Sequence, residues 1–175
     1  MNGAALRLHG RVAARLGDNV DTDVIYPGRY LNITDREKTA EHLFELAHPE
    51  LRAQIRPGDF IVGGKNFGCG SSREQATAAL KYSAVGAVIA GSFARIFFRN
   101  SVNLGLPVVV SPEAAAALQA GDEAEIDLAA GRITRLATGE TFQAAPLDPR
   151  AVELLEAGGL IPYLKKKYAT WQTAS

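Results

Sequence analysis

Two hydroxyls and a guanidinium, Ser71-Ser72-Arg73, stand where a glycine-rich turn runs into a helix-forming stretch. The run before them, Gly63-Gly64-Lys65-Asn66-Phe67-Gly68-Cys69-Gly70, holds four glycines and follows an apolar stretch, Phe60-Ile61-Val62. Glycines let a backbone turn sharply and come close to a ligand. Glu74 to Tyr82, rich in Ala, Leu, Gln and Lys, reads as a helix. A helix N-terminus presents N–H groups that a serine can cap and that an anion can also occupy. Arg73 adds a planar cation suited to carboxylate or phosphate. The segment reads either as an anion site with two hydroxyls at its centre or as a tight strand-to-helix turn with serine caps.

Commoner loop chemistries do not fit. A phosphate-binding P-loop needs Gly-Lys-Ser/Thr, and here the run is Gly64-Lys65-Asn66. A dinucleotide fingerprint wants a third glycine where Arg73 stands and an acid after the next strand, where Ser92 stands. The Gly-x-Ser-x-Gly elbow of serine hydrolases is absent. Nineteen basic and nineteen acidic residues cancel, which disfavours a broad polyanion surface. With 47% apolar residues in 175, one domain over residues 1–175 is expected. No apolar run approaches the ~20 residues that span a bilayer, and Met1 to Gly10 has no signal-peptide core. A cytoplasmic protein is expected. One cysteine excludes an internal disulfide and any multi-cysteine metal site on this chain alone. His9, His42 and His48 show no ligand spacing and read as solvated or partly packed.

The elements that must position the loop are legible by pattern. Leu6 to Leu16 alternates as a strand with one polar face, and Gly17 to Asp23 is a polar loop. Thr34-Asp35-Arg36-Glu37 matches a capping box, predicting a helix toward Ala47 that Pro49 ends. Pro57-Gly58-Asp59 is a turn. Strands at Phe60 to Val62, Ala87 to Ala90 and Pro107 to Val110 alternate with helices at Glu74 to Tyr82, Ala94 to Leu104 and Ser111 to Ala120. That order predicts an α/β fold, a parallel sheet covered by helices. Glu123 to Leu128, Arg132 to Leu136 and Thr141 to Ala144 then read as a small antiparallel meander. Asp148-Pro149 opens a last helix that Gly158-Gly159 ends. Lys165-Lys166-Lys167 reads as a solvated helix end.

Other stretches accompany the loop in a fixed order. Gly17-Asp18-Asn19-Val20-Asp21-Thr22-Asp23 and Tyr26-Pro27-Gly28-Arg29-Tyr30-Leu31 precede it. Gly91-Ser92-Phe93-Ala94-Arg95-Ile96-Phe97-Phe98-Arg99-Asn100, Asn103-Leu104-Gly105-Leu106-Pro107 and Leu154-Leu155-Glu156-Ala157-Gly158-Gly159-Leu160 follow it. Over nearly the whole chain this set resembles the small subunits of 3-isopropylmalate dehydratases, in the aconitase family. The resemblance implies a three-layer β/β/α swivelling domain that closes over a [4Fe–4S] cluster. A large subunit, the partner in a heterodimer or heterotetramer, supplies three cysteines to that cluster, and this chain alone binds no cofactor. The implied chemistry is dehydration and rehydration of a small hydroxy-dicarboxylic acid, interconverting 2- and 3-isopropylmalate in leucine biosynthesis. By resemblance Ser71 is the base, Ser72 and Arg73 hold a substrate carboxylate, and Asp23 helps polarise the leaving hydroxyl with a histidine of the large subunit. Asp21 reads as an Asx-turn cap and Cys69 as a small packed residue.

Two departures from the family pattern matter. Gln75 stands where many relatives have His, and it reads as orienting the loop. Asn32-Ile33 follows Tyr30-Leu31, where homoaconitase-like relatives favour Arg for an extra carboxylate. Asn cannot supply that bidentate charge, so Asn32 and Ile33 imply a substrate with an uncharged branch. Arg29 nearby is a further candidate cation for the substrate. Homoaconitase and dimethylmalate- or methylmalate-type dehydratases remain alternatives. A non-catalytic alternative is a stand-alone carboxylate-binding regulatory module. Retention of Ser71, Ser72, Arg73 and Asp23 together argues against that, and net neutrality argues against RNA binding.

Overall fold

The computed structural model describes residues 7–172. Strand β1, Arg7–Arg15, is the pivot of the sheet; Leu6, included in the expected strand, lies outside the described residues. Its first half, Arg7 to Arg11, pairs antiparallel with β5, Glu123–Asp127. Its second half, Val12 to Arg15, pairs parallel with β2, Phe60–Gly63, after a bulge between Val12 and Ala14. Bulges bend a strand, and this one lets β1 serve both halves. The parallel half continues through β3, Ala87–Ala90, to β4, Val108–Val110. The antiparallel half continues through β6, Arg132–Arg135, to β7, Thr141–Gln143. The strand order is β4-β3-β2-β1-β5-β6-β7. The parallel sheet and the meander are as expected, and they are joined edge to edge through β1.

Two cores make the layers. Alternate residues of the parallel strands, Val12, Phe60, Val62, Ala87, Ile89 and Val109, pack against Ile126, Ile133 and Phe142 of the meander. Their neighbours Ile61, Val88, Ala90 and Val108 pack against the helices instead. The strict alternation follows from the two-residue period of a strand. Each Val, Ile or Phe among them that is removed fully from water contributes about 1.5–3 kcal/mol. The result is meander, parallel sheet and helices: the β/β/α arrangement.

The helices are α1, Thr22–Ile25; α2, Arg36–Glu41; α3, Pro49–Gln54; α4, Glu74–Tyr82; α5, Arg95–Leu104; α6, Pro112–Ala117; α7, Pro149–Ala157; and α8, Leu160–Gln172. Several expectations need correction. The helix expected from Thr34 to Ala47 is only α2, and Asp35 caps it, accepting from the Lys38 N–H at 2.9 Å. It stops because buried Phe44 adopts φ +56° and donates its N–H to the Ile25 carbonyl at 2.8 Å. Pro49 opens α3, a first-turn position where a proline loses no hydrogen bond. The loop expected to Asp23 already turns into α1 at Thr22. Helix α6 ends at Ala117, short of Ala120. Beyond Gly158-Gly159 the chain continues into α8, and Lys165 to Lys167 lie exposed along it.

Candidate active site

Three loops leave the C-terminal ends of β1, β2 and β3 and lie side by side. Their backbones extend the parallel pattern as isolated bridges, Asp21 to Cys69 and Phe67 to Phe93. Gly68 donates to the Val20 carbonyl at 2.8 Å and Thr22 to the Cys69 carbonyl at 2.8 Å. Phe67 donates to the Ser92 carbonyl and Ala94 to the Phe67 carbonyl, both at 2.9 Å. Ligand sites in open parallel sheets form at this end of the strands. Gly70 permits the packing: its φ is +92°, and a Cβ there would stand 2.3 Å from Asp21 Oδ2.

The residues singled out by type and spacing come to this place in part. Ser71 and Ser72 are exposed, and Arg73 is half-buried at the N-cap of α4. No side chain caps α4, so the serines do not act as helix caps here. Arg73 Nη1 instead pairs with Asp23 Oδ1. That oxygen also accepts the Gly28 N–H at 3.1 Å. Asp21 accepts the Asp23 N–H at 2.7 Å and so caps α1. The Thr22 hydroxyl donates to the Ser71 carbonyl at 3.2 Å. Cys69 is half-buried and contributes its backbone. Gln75 reaches the Leu31 carbonyl at 3.4 Å, tying α4 to the segment after Tyr30.

A cavity of about 300 Å³ is lined by Ser71, Ser72 and Arg73 together with Thr22, Arg95 and Asn100. Arg95 was not singled out by sequence reasoning. Its signal was its place at the start of α5, just beyond the C-terminal end of β3, where a parallel sheet presents ligand contacts. Arg29, Asn32 and Ile33 do not line this cavity. Asn32 is exposed and Ile33 half-buried. The Arg29 guanidinium lies 2.9 Å from Glu45 Oε1, which also accepts from the Tyr30 hydroxyl at 2.8 Å. Its hydrogen bonds to Tyr30 and Glu45 hold Arg29 firmly charged. Bonds from His42 and then Tyr30 pull the Glu45 carboxyl below its ordinary range. Among the described residues no three His, Cys, Asp or Glu side chains gather to hold a metal ion, and no helix is long and apolar enough to cross a membrane.

Comparison with known proteins agrees with this geometry. A family model described as the aconitase C-terminal domain matches residues 46–113. The 3-isopropylmalate dehydratase small subunit of Moorella thermoacetica is 53% identical over 154 residues, 88% of this chain and 93% of that protein. A methanogen homoaconitase small subunit from Methanothermobacter thermautotrophicus is 49% identical, covering 93% of this chain and 94% of its own length. The crystal structure of a 3-isopropylmalate dehydratase from Methanocaldococcus jannaschii superposes with a TM-score of 0.89 at 41% identity, over 97% of this chain and 99% of that one. The chain therefore belongs to the small-subunit family of the 3-isopropylmalate dehydratases, hydro-lyases of the aconitase type.

Proposed function

We propose that the chain is the small subunit of a cytoplasmic two-subunit hydro-lyase that interconverts 2- and 3-isopropylmalate by dehydration and rehydration. The observation that carries this is the meeting of Ser71, Ser72 and Arg73 on one cavity, with Asp23 paired to Arg73 at its rim. The whole chain acts as one domain that swings over the partner's site. The iron–sulfur cluster belongs to the large subunit and, when bound there, supplies the Lewis acid that takes the substrate hydroxyl.

Ser71 takes the proton from the carbon beside a carboxylate. Its hydroxyl is exposed to the cavity, near the positive end of α4 and beside Arg73 and Arg95. Fixed positive charge there stabilises the alkoxide relative to the alcohol. Ser72 and Arg73 bind the carboxylate, the latter as a two-pronged donor. Asp23 holds Arg73 in place before substrate arrives and helps polarise the leaving hydroxyl. Asn32 and Ile33, which stand off this cavity in the chain alone, select an uncharged branch once the domain closes over the partner.

The large subunit covers the rim of this cavity along α5. Arg95 and Ile96 line both the cavity and an adjoining groove of about 700 Å³, which Phe93 and Arg99 also line. Ile96 is 45% exposed there. The test is hydration of isopropylmaleate by the chain alone and by the chain with its large subunit. Turnover only by the pair is expected. Turnover by the chain alone would overturn the two-subunit reading. The homoaconitase relative favours one second reading, a small subunit acting on a tricarboxylate. A higher kcat/KM for homoaconitate than for isopropylmaleate would select it.

A further inference from the structure

The turn Gly28–Tyr30 is fastened at two ends. At one end it meets the site, where Gly28 donates to the carboxylate that pairs with Arg73. At the other it meets Glu45, outside that site. Both Arg29 and Tyr30 donate to Glu45 Oε1, and His42 Nδ1 bonds the other oxygen. The His42 ring stacks on Tyr30 with centroids 3.6 Å apart and planes at 11°. The Arg29 guanidinium lies 4.8 Å above the centre of the same Tyr30 ring. The Tyr30 carbonyl accepts from the hydroxyl of fully buried Tyr26 at 2.9 Å. Glu45 itself follows Phe44, whose left-handed backbone is held by its bond to Ile25. One carboxylate thus neutralises Arg29 and fixes the segment that leads into Leu31, Asn32 and Ile33. Relatives about 50% identical to this chain bear an isopropylmalate name in one case and a homoaconitase name in another.

Resting on the functional reading above, we propose that Glu45 is a positioning residue for substrate choice. It withholds Arg29 from the substrate and keeps the segment after it as an uncharged wall. Without the Glu45 charge, Arg29 becomes available to pair with an additional carboxylate.

The test is Glu45→Gln, alone and combined with Arg29→Gln, in the chain assembled with its large subunit. The ratio of kcat/KM for homoaconitate to that for isopropylmaleate should rise about tenfold in Glu45→Gln, as one new charge-assisted pair allows. It should return to the wild-type ratio in the double variant. A second readout does not need activity: trypsin cleavage of the full chain after Arg29 should become about tenfold faster in Glu45→Gln, because local opening governs cleavage. A purely structural role would lower both kcat/KM values alike, and that result overturns the proposal. So does a double variant that keeps the raised ratio, or unchanged trypsin cleavage at Arg29. A wild-type pair that turns over neither acid removes the functional reading together with the substrate choice. Unchanged ratio and cleavage in a fully active Glu45→Gln pair remove only the role of Glu45.

Discussion

A serine hydroxyl becomes a useful base only where its surroundings favour the alkoxide, so most of the work assigned to Ser71 lies in its neighbours. The structure separates that role from a structural one. Ser71 is exposed, and α4 has no side-chain cap for a substitution to remove. Ser71→Ala should therefore leave the unfolding free energy of the chain in urea within about 0.5 kcal/mol of wild type. Turnover with the large subunit should fall by about 10²- to 10⁴-fold, the range of a lost general base. A variant with near-wild-type kcat would assign the base elsewhere. The contiguous Ser71-Ser72-Arg73 was legible because neighbours in sequence are neighbours in space. Asp23 came only with the family resemblance, since fifty positions separate it from Arg73. Arg95 was legible only by its place at the start of α5, and Glu45 was not legible at all. Each matters through contacts that loops from different strands create, and no local spacing records them.

Helices and strands with strong periodicity were readable, and their ends were not. The alternation Phe60 to Ala120 gave the parallel layer, because buried parallel strands are short apolar runs and their crossovers are helices. The boundary at His42 was hidden because a tertiary bond, Phe44 to Ile25, overrides the local propensity for more helix. Pro49 and Gly158-Gly159 were read as stops, and each also permits a new start: proline suits a first helical turn, and left-handed glycines redirect the chain. The junction of α5, α7 and α8 tests that account. Gly105 ends α5 with φ +75°, and a Cβ there would lie 2.5 Å from the Gly158 carbonyl. Its own carbonyl accepts from Lys81 Nζ at 2.6 Å, a lysine whose pKa burial depresses. Gly105→Ala should destabilise the chain by more than about 2 kcal/mol, the left-handed cost plus a backbone clash. Urea unfolding measures it. A loss below about 0.5 kcal/mol would mean that the junction shifts freely to admit a methyl group.

At the scale of the whole molecule, charge balance conceals a local imbalance that a partner would read. Acids and bases cancel at nineteen each. Yet Arg95 and Arg99 flank exposed Ile96 at the mouth of the site, and neither has an ion-pair partner among the described residues. An apolar centre with a cationic rim fits a partner surface that is apolar with acids at its edge. On the proposed reading that partner is the large subunit. Ile96→Asp should abolish co-purification with it, because the change removes the apolar centre, desolvates a carboxylate there and cancels the cationic rim. Ile161 on α8 is more exposed, at 61%, and lies off this groove. Ile161→Asp should assemble normally, so it controls for a general effect of an exposed acid. Arg99→Glu should slow association at low salt while moving dissociation little, since rim charges steer encounter more than they hold the complex. Wild-type association should slow about tenfold from ~50 mM to ~500 mM salt as that steering is screened. Stopped-flow mixing and size-exclusion chromatography report both. If Ile96→Asp assembles as wild type while Ile161→Asp does not, the large subunit docks on the α8 face, and the cavity at Ser71 must be closed from another side.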